Sequence, residues 1–184
     1  MSPQKRRSNT IGIIGIFNMK TDQKKKILQL VNTAGKMNHL RIYDVEFKAS
    51  LVRVYIDNIE RDVDLNLCEK LMKSLLFLFQ SNNIEDVECE VSSPGVERSL
   101  KKDWHFLTAV GQTIKIRTSE PVFCYDKNQE KKRQTTILSG QLCKCKDNVI
   151  SVRDGLLDWT IPLDTVIKAN IVFKEKQQGK RGVV

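Results

Sequence analysis

The chain has 184 residues, 40% of them apolar, and its 31 basic and 22 acidic side chains give a formal charge of +9. That is enough apolar material for one large core or two small ones, and it excludes a wholly disordered chain. The excess charge lies at the ends: residues 1–26 carry seven basic groups and one acid, residues 174–184 carry four and one, and residues 27–173 balance at twenty of each sign.

Residues 1–20 read as a flexible basic tail interrupted by the apolar, glycine-punctuated run Thr10–Phe17. Within it Gly12-Ile-Ile-Gly15 has the Gly-x-x-Gly pattern of RNA-gripping loops, but its flanks lack helical patterning. Thr21 or Asp22 is the predicted cap of a helix running to about Ala34, with Ile27, Leu30, Val31 and Ala34 at helical spacing and Gly35 as its stop. Arg41–Phe47 alternates as a strand, with Ile42, Asp44 and Glu46 on one face and Tyr43, Val45 and Phe47 on the other. Leu51–Ile56 is a second strand, joined to the first as a hairpin through Lys48-Ala49-Ser50. Asp64 is the predicted cap of a helix over 65–80, whose apolar stripe is Leu65, Cys68, Leu71, Met72, Leu75, Leu76 and Phe79. Asp86–Val91 is a third strand. The order α-β-β-α-β predicts a two-layer α/β module over 21–96.

Ser92-Ser93-Pro94-Gly95 punctuates the chain, since proline and glycine together end a strand. Asp103–Val110 reads as a short helix stopped by Gly111. Six short strands follow, at 113–118, 121–125, 135–145, 149–153, 157–161 and 166–173, with an exposed charged loop from Asp126 to Arg133. Turns at Asp147-Asn148 and Asp154-Gly155 and a single 3₁₀ turn at Pro162-Leu163-Asp164 fit a small SH3-like barrel over 97–173. Residues 174–184 form a second flexible basic tail. The fold class expected is α+β in two domains, with no internal repeat.

Several function classes fall away. No run reaches the ~18 apolar residues of a membrane span, and no small-residue cleavage site follows Ile11–Phe17, so a cytoplasmic protein is expected. Five irregularly spaced cysteines do not make a disulfide scaffold. Cys143-Lys-Cys145 lacks the paired Cys-x-x-Cys units of a zinc site, and His39 and His105 have no evident nucleophile partner. No catalytic residue, metal or cofactor is therefore assigned. Basic tails beside a neutral middle suit a large polyanion, because each phosphate contacted releases counterions.

The strings Asp44-Val-Glu-Phe47, Val52-Arg-Val-Tyr-Ile-Asp57, Cys68-Glu69 and above all Glu90-Val-Ser-Ser-Pro-Gly-Val-Glu-Arg-Ser-Leu100 resemble the ribosome maturation factor family RimP, over roughly residues 25–173. The resemblance implies a KH-like α/β N-terminal domain and an SH3-like or Sm-like C-terminal barrel. It also implies binding without catalysis to the immature small (30S) ribosomal subunit, its ribosomal RNA, and a ribosomal protein near the decoding centre. A monomer is expected. Ser99 stands where that family usually has proline. The rival readings are an Sm-like RNA-binding module acting outside the ribosome, which predicts a ring oligomer, and an enzyme using a cysteine thiolate.

Candidate residues fall into three groups. Arg98, Lys101, Lys102, Lys127, Lys131, Lys132 and Arg133 are candidate RNA contacts. Asp57, Glu60, Asp62 and Asp64 are candidate contacts to a basic ribosomal protein. Ser92, Ser93, Pro94, Gly95, Glu97 and Arg98 form a candidate inter-domain hinge held by side-chain-to-backbone bonds. Trp104 and Trp159 are read as packing residues rather than base-stacking platforms.

Overall fold

The computed structural model describes residues 19–58, 62–125 and 131–173, and its contacts divide the chain into two units between Ser93 and Pro94. The side chains of Tyr125, Lys131 and Lys132 lie outside that description. So do both outer tails, including Gly12–Gly15 and Ile11–Phe17. The fold is α+β.

In the first unit, helix α1 (Thr21–Met37) buries Ile27, Val31 and Ala34. Lys20, extended and without a side-chain cap, holds the position before it, so Asp22 lies in the first turn, where a carboxylate favours the positive end of the helix. Gly35 does not stop α1. It is buried, and a Cβ there would lie 2.9 Å from the Ile42 side chain and 3.1 Å from the Leu40 carbonyl oxygen. The glycine thus permits close approach of the following strand rather than a break. The helix ends two residues later in a Schellman closure: His39 takes φ 56° and the Leu40 N–H donates to the Gly35 carbonyl at 2.9 Å.

Helix α2 (Leu65–Ser81) starts at the predicted cap, with Asp64 Oδ1 accepting the Leu67 N–H at 2.8 Å. Its buried row is Leu67, Leu71, Leu75 and Phe79. Cys68 and Leu78 pack beside that row, whereas Leu65 and Leu76 of the predicted stripe are exposed. Asn38 ties the helices together, donating to Ala34 O and to Ser74 Oγ at 2.8 and 2.9 Å.

Strands β1 (Arg41–Lys48), β2 (Leu51–Asp57) and β3 (Glu88–Ser92) form a sheet in that order. The first pair is antiparallel and the second parallel, with α2 as the crossover. The alternation predicted for β1 fails at one point. A bulge between Ile42 and Asp44 shifts the register at Tyr43, and Ile42 joins Val45 and Phe47 against the core. The opposite face carries Arg53 paired with Glu90 at 2.8 Å.

The second unit contains α3 (Asp103–Thr108), β4 (Thr113–Tyr125), β5 (Lys131–Lys146), β6 (Val149–Asp154), β7 (Leu157–Pro162), a 3₁₀ turn (Leu163–Thr165) and β8 (Val166–Ile171). The strands pair antiparallel in the order β7-β6-β5-β4-β8. Two predicted strands merge into β4, with a register break between Arg117 and Val122 in place of a chain break. The charged loop predicted through Arg133 ends earlier, since β5 begins at Lys131. The backbone pairing there runs from Cys124 with Arg133 to Tyr125 with Lys131.

The expected SH3-like barrel is not closed by strand pairing: the named strands form an open ladder that runs from β7 to β8. The sheet nevertheless curls far enough to set Cys124 Sγ of β4 3.5 Å from the Asp158 carbonyl of β7. Ile114, Ile116, Leu142, Ile150, Val152, Trp159 and Ile161 fill its concave side with Leu100 and Phe106.

Candidate nucleic-acid interface

The Ser92–Leu100 segment is held at its second end by backbone bonds and by side-chain bonds, among them Ser99 Oγ donating to Ala169 O at 3.4 Å. The Leu100 N–H donates to Ala169 O at 2.8 Å, and the Ile171 N–H donates to Arg98 O at 3.0 Å. Residues 98–100 therefore extend the second unit's sheet beyond β8. Asn170 Nδ2 reaches the Glu97 carbonyl at 3.4 Å, so Glu97 takes part through its backbone. Ser92 Oγ donates to Ser93 O at 3.2 Å, and Gly95 takes φ 73°, which its lack of a Cβ allows.

The candidate cations follow directly. Lys101 and Lys102 are exposed and Arg98 is half-buried. The buried His105 organises the start of α3: its Nδ1 accepts the Lys101 and Lys102 N–H groups at 3.0 and 3.4 Å, which places its ring proton on Nε2. The two lysine side chains project outward from this anchored backbone. Lys102 Nζ lies 5.8 Å from the centre of the Trp104 ring, and the His105 ring meets Trp104 edge-on at 4.1 Å. Arg133 is exposed on β5; Lys127 and the side chains of Lys131 and Lys132 fall outside the described residues.

The four candidate acids do not act alike. Asp57 is engaged by Arg41 across β1 and β2, and Asp64 is spent on the α2 cap. Asp62 is exposed, and Glu60 is outside the described residues. Two of the four positions are thus committed to structural contacts, an ion pair and a helix cap.

Burial pushes up the thiols of Cys68, Cys89 and Cys145, with Asp64, Glu90 and Asp103 respectively adding to it, and Cys89 rises to about 11. An activated nucleophile needs the opposite shift. At pH 8 Cys89 is thiolate in only about one part in a thousand, so its alkylation by iodoacetamide is expected to run roughly a hundredfold slower than that of an ordinary thiol. Mass-spectrometric labelling rates check this; a Cys89 that labels as fast as free cysteine contradicts it. Among the described residues no group of His, Cys, Asp and Glu is placed to hold a metal ion, and no helix is long and apolar enough to cross a membrane.

One set of cations was not singled out by sequence reasoning. Lys115 and Arg117 on β4 and Lys168 on β8 are all exposed, and with Ile137 and Asn170 they line one shallow depression on the outer face of the sheet. Arg117 sits directly opposite Lys168, and Lys115 opposite Asn170. Strand alternation already places Lys115 and Arg117 outward. The pairing with a strand fifty residues later is what gathers them with Lys168, and no local pattern encodes it.

Residues 30–97 match the family model described as the RimP N-terminal domain. The match starts in the second half of α1, takes in β1, β2, α2 and β3, and ends at Glu97, past Ser92-Ser93-Pro94-Gly95. The resemblance to the RimP family is thereby shown over that span.

Proposed function

We propose that this chain is a non-catalytic ribosome maturation factor that binds the immature 30S subunit in the cytoplasm as a monomer and assists its assembly. The observation that carries the reading is the match over 30–97, joined to the Glu90–Leu100 string that continues past its end. The α-β-β-α-β order of the first unit supports a KH-like domain. The strand order β7-β6-β5-β4-β8, with a 3₁₀ turn before the last strand, supports an SH3-like barrel laid open. The raised thiols favour a binding protein over a cysteine enzyme.

The proposed division of labour has the second unit address a ribosomal protein near the decoding centre and the RNA beside it, while the first unit's acids receive basic protein. A strand edge can pair with an extended segment, and β7 is the terminal strand of the ladder on one side. Residues 97–173 carry thirteen basic and nine acidic groups, against seven and eleven in 27–96, which assigns the two roles by charge. Ser92–Arg98 is the proposed hinge between the two.

Two variants test the split. Lys101, Lys102, Lys131 and Lys132 changed to glutamine should weaken binding both to precursor particles and to naked ribosomal RNA. Glu60 and Asp62 changed to their amides should weaken particle binding alone; Asp57 and Asp64 are left intact because they hold Arg41 and the α2 start. An acid variant that binds particles as well as the parent refutes the acidic half. Tighter binding to naked RNA than to particles, by a ring oligomer, favours the Sm-like alternative.

A further inference from the structure

We propose that the outer face of β4 and β8, built on Lys115, Arg117 and Lys168, is a binding surface for successive phosphates of an RNA strand. It adjoins the cluster around Arg98, Lys101 and Lys102 through the groove that Lys101 shares with Arg117 and Lys168.

The three cations occupy adjacent positions of one cross-strand grid, Lys168 beside Arg117 and Lys115 beside Asn170. Lys115 and Arg117 are two residues apart, about 6.7 Å along the strand, and neighbouring strands are about 4.8 Å apart. Three positive groups therefore crowd a patch the size of two or three nucleotides. None of them has an ion-pair partner or a side-chain hydrogen bond among the described residues. Elsewhere on the same sheet an exposed arginine is paired, Arg153 with Asp158 at 2.7 Å. Like charges directly opposite across an antiparallel pair destabilise a sheet, so Arg117 facing Lys168 carries a folding cost that an anion would relieve.

The surroundings are suited to a nucleic acid. Ile137, opposite Arg117 on β5, is 49% exposed at the edge of the patch, an apolar contact for a ribose or base. A second groove runs on past Arg117 and Lys168 to Lys101, lined also by Ile167 and Leu163, and among the described residues the one carboxylate lining either depression is Asp103. A track of four cations, three on the sheet and Lys101 before α3, fits an extended polyanion better than a compact one. Naming that polyanion RNA rests on the assembly-factor reading.

The test measures binding of the full chain to a fluorescein-labelled 20-nucleotide oligouridine RNA as a function of salt. Changing Lys115, Arg117 and Lys168 to glutamine removes three contacts at about 0.7 each, so the log–log salt slope should fall by about 2 and binding at 0.1 M salt should weaken at least tenfold. A charge-matched control, Lys25, Lys36 and Lys70 to glutamine on the exposed helices of the first unit, should leave the slope within one contact of the parent. Equal losses in the two variants, or no loss in the first, overturn the proposal. So does displacement of the RNA by polyglutamate at equal charge, which would make the face a receptor for acidic protein.

A further readout is thermal. Lys168→Gln relieves the like-charge pair and should hold or raise the midpoint, whereas a drop of several degrees contradicts a surface maintained at a folding cost. Sedimentation with precursor small subunits separates the two levels of the argument. If the parent does not sediment with them but the triple variant still loses RNA, the surface stands and the functional reading fails. If the triple variant binds RNA and particles as the parent does, the surface fails and the reading stands.

Discussion

Replacing Gly140 with alanine is expected to cost about 3 kcal/mol or more and to disrupt the second unit's sheet, the overpacking penalty at its upper end. Gly140 sits on β5 opposite Ile114, beside the end of β6. A Cβ built there would lie 2.3 Å from the Arg153 carbonyl oxygen and 2.8 Å from its carbonyl carbon. These are backbone atoms of a neighbouring strand, which cannot rotate aside as a side chain can. Relief requires β5 and β6 to separate just where Gln141 pairs with Arg153 and Leu142 with Val152. Chemical denaturation followed by tryptophan fluorescence measures the effect, because Trp104 and Trp159 both lie in this unit. A stability change under 1 kcal/mol would show that the strands approach less closely than described.

Trp159→Ala should cost about 3–5 kcal/mol, the usual loss for a large aromatic removed from a packed core. Trp159 is 1% exposed on β7 and is among the largest side chains of the second core. Its Nε1 has no hydrogen-bond partner among the described residues, so Trp159→Phe sacrifices ring volume without breaking a bond and should cost about 1.5 kcal/mol or less. The contrast separates packing from base stacking. A stacking platform would lose RNA affinity in the alanine variant with stability unchanged. A core residue loses stability in that variant, and its remaining folded fraction binds RNA normally.

The parts of this fold legible in the sequence are those specified by near neighbours. Asp64 three residues before Leu67 makes a cap in any context, and Asp147-Asn148 turns a hairpin because both residues tolerate positive φ, here 52° and 60°. Leu71, Leu75 and Phe79 repeat at helical spacing and are buried accordingly. Gly35 was legible as special but ambiguous in meaning: a glycine that ends a helix and one that admits a neighbouring side chain read alike until Ile42 is in place.

Tyr43 shows a second limit. A bulge shifts the phase of one strand against another, and alternation within a single strand carries no record of its partner. The binding residues divide in the same way. Arg98, Lys101 and Lys102 are close in sequence and so stood out, and the Glu90–Leu100 string is specific enough to carry the family resemblance. Lys115, Arg117 and Lys168 become a cluster only through the β4–β8 register. Asp57 looked like a free acid because its partner, Arg41, is brought to it only by the β1–β2 pairing, whereas Asp64 was legible as a cap as well as a candidate contact.

The central claim is preference for an immature small ribosomal subunit, and sucrose-gradient sedimentation of the full chain with purified precursor small subunits, mature small subunits and large subunits tests it most directly. The account predicts co-migration with the precursor, at least tenfold weaker retention on mature small subunits, and none on large subunits, with binding falling as salt rises because phosphate contacts contribute. Equal retention on all three particles, or migration at the top of the gradient in every case, would contradict it.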